Sequence, residues 1–146
     1  MFKKILCPVG FDGNSLEALA MAAEFARRDD AMLYVVHALP PVDPLVISAQ
    51  LIFKREEELA REKLEEICKE GLDGIRHERI MRTGNAAHEI IAAAADLKTD
   101  LIVMATHGRT GVPHLFLGSV AERVVREAPC PVLTVRAGKT KVLKAA

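Results

Sequence analysis

The sequence predicts a three-layer α/β fold with a mainly buried parallel sheet. Short apolar runs alternate with longer amphipathic segments along the chain, and those segments are long enough to be crossovers between parallel strands. The run Leu101–Ala105 is apolar throughout, as a strand covered on both faces requires. Right-handed crossovers then put helices on both faces of five strands. A chain of 146 residues, half of them hydrophobic, can bury one substantial core. A single domain over residues 1–137 is therefore expected, with a flexible tail at 138–146 carrying Lys139, Lys141 and Lys144.

Each element has its own signal. Residues 3–9, KKILCPV, read as the first strand. Asn14, with Glu17 three residues on, is a cap for a first helix whose expected inward stripe is Leu16, Leu19, Ala20, Ala23 and Ala26. Residues 32–39 form the second strand, stopped by Pro40 and Pro41. A loop is expected over 40–48, then a charged helix to about Glu70, with Glu57/Arg61 and Glu65/Lys69 at ion-pair spacing and Gly71 and Gly74 as its stop. Residues 76–81 are the third strand, and 85–97 the third helix with Ile90, Ile91, Ala94 and Leu97 inward. Leu101–Ala105 is the fourth strand, and Val120, Ala121, Val124, Val125 and Ala128 recur at helical spacing from a start near Ser119. The fifth strand runs from Pro131 to Arg136.

The segment between the fourth strand and the fourth helix carries most of the functional signal. It contains Gly108, Gly111 and Gly118, with Gly118 and Ser119 where the helix begins. Glycine admits close approach of a ligand to backbone amides, and the first N–H groups of a helix have no partner within it, so the segment points to an anion site. Ser119 with Glu122 also fits a capping box, a role compatible with a hydroxyl that donates to phosphate. A P-loop is excluded, because Gly118 is followed by Ser119 and Val120 and the loop has no lysine. A GxGxxG fingerprint after the first strand is missing too: the glycines there are Gly10 and Gly13.

These residues resemble the universal stress protein family, whose C-terminal signature is Gly, two residues, Gly, nine residues, then Gly followed by Ser or Thr. In this register the chain has Ala105, Thr106, His107, Gly108, nine residues, then Gly118 and Ser119. Ala105 replaces the first glycine. The likeness extends to the opening KKILCPV, to Ser15, Leu16, Ala18 and Leu19, to VVHA at 35–38, and to APCPVLTVR at 128–136.

The resemblance implies a Rossmann-like sheet of order 3-2-1-4-5 with helices on both faces. It also implies ATP binding where the loops after strands 1 and 4 diverge. Pro8, Val9, Gly10, Ala38, Met104 and Ala105 would line the adenosine end; Gly108, Arg109, Gly118, Ser119 and Val120 would hold the phosphates. Mg2+ would accompany the triphosphate, without a dedicated protein carboxylate. A homodimer joined through the fifth strand, residues 131–136, is implied as well. One departure bears on affinity: family members usually have an aspartate where this chain has Gly10, leaving Asp12 as the nearest carboxylate.

Composition excludes other classes. Lys plus Arg and Asp plus Glu both number 20, so there is no basic excess for a nucleic acid, and Tyr34 and five phenylalanines offer little for base stacking. No apolar run approaches membrane-spanning length, and Pro8 interrupts the opening too early for a signal peptide, so a cytoplasmic protein is expected. Cys7, Cys68 and Cys130 are widely spaced and read as reduced. His37, His77, His88, His107 and His114 lack metal-ligand spacing. No residue of the glycine loop is an evident general base, which favours binding over turnover. Three readings follow: a nucleotide-binding regulatory module of the stress response, a dimeric interaction protein that has lost nucleotide affinity, and a slow ATPase or phosphotransferase.

Overall fold

The computed structural model describes residues 1–106 and 117–136. Nine elements follow in strict alternation: β1 (Lys4–Pro8), α1 (Gly13–Asp29), β2 (Met32–Leu39), α2 (Ile47–Gly71), β3 (His77–Thr83), α3 (Ala86–Leu97), β4 (Leu101–Ala105), α4 (Ser119–Glu127) and β5 (Val132–Val135). The sheet order is β3-β2-β1-β4-β5 and every pairing is parallel.

Period-two alternation along the strands sorts the core into two halves. Ile5, Cys7, Leu33, Val35, Leu101 and Val103 pack with Ala18, Ala22 and Ala26 of α1 and Leu64 and Cys68 of α2. Leu6, Tyr34, Val36, Ile102 and Met104 face the other way, against Ile90, Ala93 and Ala94 of α3 and Ala121 and Val124 of α4. Helices α1 and α2 therefore cover one face and α3 and α4 the other. All carboxyl ends of the strands, with the loops that follow them, lie along one rim.

Several local readings are corrected. The cap of α1 is Asp12 rather than Asn14: its carboxylate accepts from Ser15 N at 2.8 Å. The inward stripe is Ser15, Ala18, Leu19, Ala22, Ala23 and Ala26, while Leu16 and Ala20 face out. An alanine-rich helix offers two nearly equivalent apolar stripes, and close packing on a sheet selects the one with the smaller side chains. At α4 the expected capping box does not form. Gly118 is the N-cap, no side chain caps the helix, and the Glu122 carboxylate accepts from Arg126 at 3.2 Å. Glu57 pairs with Arg61 as spaced, but Glu65 reaches across to Arg79 of β3. Ile91 and Leu97 are only partly buried.

One glycine is required by its surroundings. Gly84, between β3 and α3, has φ of 144°, and a Cβ there would lie 2.9 Å from the Glu89 carboxylate. That carboxylate accepts from Arg82 Nε at 2.9 Å, while Asn85 caps α3 by accepting from His88 N at 3.0 Å. The turn is thus held tightly and delivers the start of α3 to the rim.

Candidate functional site

A cleft of about 490 Å³ opens at the carboxyl ends of β1 and β4, where the crossovers diverge to opposite faces. Its volume lies in the range of small-molecule sites. The cleft brings together Pro8, Val9, Gly10, Ala38, Met104, Ala105, Gly118, Ser119 and Val120, all singled out in the sequence. Gly108 and Arg109 lie outside the described residues, as do His107, Gly111, His114 and the tail from residue 137.

The loop after β1 is built from a short chain of hydrogen bonds. Ser15, buried on α1, accepts the Gly10 N–H at 2.9 Å through its hydroxyl and donates that hydroxyl to Asp12 Oδ1. Asp12 lines the cleft, but this oxygen is committed to Ser15 N and Ser15 Oγ and to holding the helix start. Its second oxygen, Oδ2, is not part of these bonds, so the cap fixes the carboxylate's position without using all of its accepting capacity. Gly10 itself has no positive φ; the left-handed residue of this turn is Phe11, at 65°. Phe11 lies against the His37 ring, centroids 4.3 Å apart, and Lys63 sits 5.9 Å from its own centroid.

His37 interrupts the apolar run of β2 near its carboxyl end and lines the cleft. Its Nδ1 lies 2.7 Å from the Val9 carbonyl, and because a carbonyl only accepts, Nδ1 carries the proton. The Val9 N–H donates to Val36 O at 2.9 Å, so both backbone groups of Val9 are engaged with β2.

On the other side, Thr106 N donates to Val135 O and Gly118 N donates to Thr106 O at 2.7 Å, which closes the two ends of the glycine segment on each other. This places the first amides of α4, without a side-chain cap among the described residues, at the cleft beside Ser119, whose hydroxyl is unused by the cap. The start of α3 arrives there too, through Ala86 and Ile90. Helix starts from α1, α3 and α4 thus converge on one cleft whose remaining walls are mostly apolar, Val9, Val36, Ala38 and Met104, with His37 and Thr106 among them. The starts of α1 and α3 are capped by Asp12 and Asn85, so the start of α4, without a side-chain cap among the described residues, is the end that suits an anion, and the apolar walls suit a flat ring.

Asp12, named in the sequence as the nearest carboxylate, does line the cleft; sequence reasoning did not pick out Ser15, Val36, His37, Ala86, Ile90, Thr106 or Ala121 as binding residues. His37 had a local signal, a polar residue interrupting an apolar strand. Ala86 and Ile90 had none, because only the return crossover from β3 to β4 brings α3 to this end.

The model of the universal stress protein family matches residues 1–136. The chain belongs to this family. A universal stress protein of Methanocaldococcus jannaschii, MJ0531, is 38% identical over 145 residues, covering 95% of this chain and 85% of its own. The solved structure of protein MJ0577, from the same organism, is 30% identical with a TM-score of 0.80 and covers 95% of this chain and 99% of its own. Two more distant universal stress protein structures share the fold. One, in complex with cAMP, is 20% identical with a TM-score of 0.74 and covers 92% of this chain and 97% of its own. The other, from Archaeoglobus fulgidus in complex with dAMP, is 23% identical with a TM-score of 0.64 and the same two coverages. Among the described residues, no helix of this universal stress protein is long and apolar enough to cross a membrane.

The cysteines are all free. Burial pushes the Cys7 thiol far above its ordinary range and Cys68 up to about 11, and Cys130 is also raised, chiefly by desolvation.

Proposed function

We propose that the chain is a cytoplasmic ATP-binding regulatory module of the stress response, working as a homodimer. The observation that carries this reading is the start of α4, without a side-chain cap and with the Ser119 hydroxyl beside it, opening on a largely apolar cleft at the sheet's switch point. Pro8, Val9, Gly10, Ala38, Met104 and Ala105 hold the nucleoside. The amides and hydroxyl at Gly118, Ser119 and Val120, joined by Gly108 and Arg109, hold the phosphates. Mg2+ travels with the triphosphate as a phosphate-bound ion. The cAMP and dAMP complexes of the distant relatives support an adenine nucleotide as the ligand class.

The dimer forms by antiparallel pairing of β5, an apolar strand at the sheet edge. The opposite edge, β3, carries His77, Glu78, Arg79 and Arg82 and is guarded by charge.

Calorimetry with ATP and with adenosine, alongside mass spectrometry of ligand released from freshly purified protein, tests the binding. Saturable binding of ATP in preference to adenosine is the expected result; no heat with either ligand and no released nucleotide would refute it. Gly10 favours a second reading, an interaction module with lost affinity, because this position lacks the family's carboxylate and one oxygen of the nearest, Asp12, is engaged in the α1 cap.

A further inference from the structure

The loop from Val9 to Asp12, which carries the chain from β1 to α1, is held by a side chain that belongs to neither element. Val9 and Gly10 form part of the cleft wall. Next to them Phe11 has a φ of 65°. Among the described residues the other left-handed positions that are not glycine, Asp30 and Lys98, close α1 and α3, where that conformation is ordinary. Phe11 instead stands ahead of a helix, and a bulky aromatic there is strained, so its neighbours must hold it in place. Those neighbours are the His37 ring of β2, centroids 4.3 Å apart and planes inclined at 33°, and Lys63 of α2, 5.9 Å from the Phe11 centroid.

His37 grips the same loop a second time, through its Nδ1–H and the Val9 carbonyl, 2.7 Å apart. Val9 is only 4% exposed, so this carbonyl cannot turn to water unless the loop moves. A buried acceptor stripped of its donor costs more than the bond itself contributes. One imidazole thus fixes the carbonyl of Val9 and supports the strained Phe11, with Gly10 between the two points. The start of α4, which the reading above assigns to the phosphates, is anchored elsewhere: Gly118 N donates to Thr106 O, and Thr106 N to Val135 O of β5. We propose that His37 is a positioning residue for the nucleoside end of the cleft, setting affinity for adenosine through the placement of Val9 and Gly10 and leaving the phosphate contacts alone. This role rests on the nucleotide-binding reading above and deepens it.

The test is calorimetry of the parent, His37→Asn and His37→Gln with adenosine and with ATP. An asparagine amide nitrogen falls near the place of Nδ1 and a glutamine amide nitrogen near that of Nε2, so the first keeps the donor to Val9 O and the second does not. His37→Gln should weaken adenosine and ATP by the same factor, about tenfold, because the phosphate contacts are untouched, and His37→Asn should recover most of the loss. Should His37→Gln fail to fold, His37→Phe, which keeps a ring against Phe11 but no donor, takes its place with the same expectation. Unchanged adenosine affinity in the donor-less variant overturns the role, as does an asparagine variant equally weak. A larger loss for ATP than for adenosine also overturns it, since the disturbance would then reach the phosphate end. A parent that binds neither ligand refutes the nucleotide reading itself, and the positioning role with it.

Discussion

At Gly10 a single missing side chain separates two readings of the cleft. The residue lines the cleft without a positive φ, and a Cβ there would meet Ser15 Oγ at 3.6 Å, an ordinary contact. Gly10→Asp is therefore expected to fold with an unchanged melting temperature. It should tighten both ATP and adenosine about ten- to a hundred-fold, the range of a charge-assisted hydrogen bond. Equal affinities for parent and variant in calorimetry would show that the position does not face the nucleoside. Ser119→Ala is the complementary substitution. Because Gly118 is the cap, it should cost almost no stability while weakening ATP more than adenosine; equal losses for the two ligands would reverse the proposed orientation. Sequence spacing placed both residues in the cleft but misjudged the second one's structural role, since a serine three positions before a glutamate cannot reveal that glycine has taken the cap. A third residue controls acid behaviour. The Asp29 carboxylate accepts from Arg28 and from the Phe2 N–H at 2.8 Å, and these bonds hold it down to about 2. Its contribution to stability is present above the unfolded value near ~3.9 and is lost as pH falls toward about 2. Asp29→Asn should flatten that part of the acid unfolding curve, and a curve identical to the parent's would contradict the assignment.

Among the elements, β5 shows what hydrogen-bond geometry adds to a strand seen only as a pattern. The apolar run from 131 to 136 marks a strand, but it does not say which amides face the neighbour. Pro131 O accepts from Ile102 N and Val135 O accepts from Thr106 N, so the odd-numbered residues are committed to β4. Val132 and Thr134 turn their backbone groups to the open edge. Thr134→Pro should then abolish β5-mediated association, halving the mass in light scattering, and leave the β4 ladder intact. A proline at Val135 would break the ladder inside the subunit and report nothing about the dimer. The helices were legible in number and order for a simple reason: each has its own polar and apolar periodicity. The inward face of α1 was not, since Leu16, Ala18, Ala20 and Ala22 are nearly interchangeable by hydropathy and differ only in how closely each lets the helix approach the sheet.

For the whole molecule, the alternation of elements was enough to establish layers, whereas strand order rested on family likeness, because no local signal says that the chain returns from β3 across β2 and β1 to β4. That single return makes the cleft, and ligand binding there should stabilise the entire fold by mass action, about 2.7 kcal/mol at a hundred times Kd. A melting temperature unmoved by millimolar ATP would count against a working site. The unlike edges of the sheet have a further consequence. Once β5 is paired across a two-fold axis, the ten strands form a ribbon whose two free margins are both β3, and β3 presents His77, Glu78, Arg79 and Arg82. Such a ribbon resists propagation: adding a strand at either margin would bury the charged side chains of β3 and strip their water, so further addition is disfavoured. Replacing Glu78 and Arg79 by valine would remove that terminator and turn a finite assembly into a seed for fibrils.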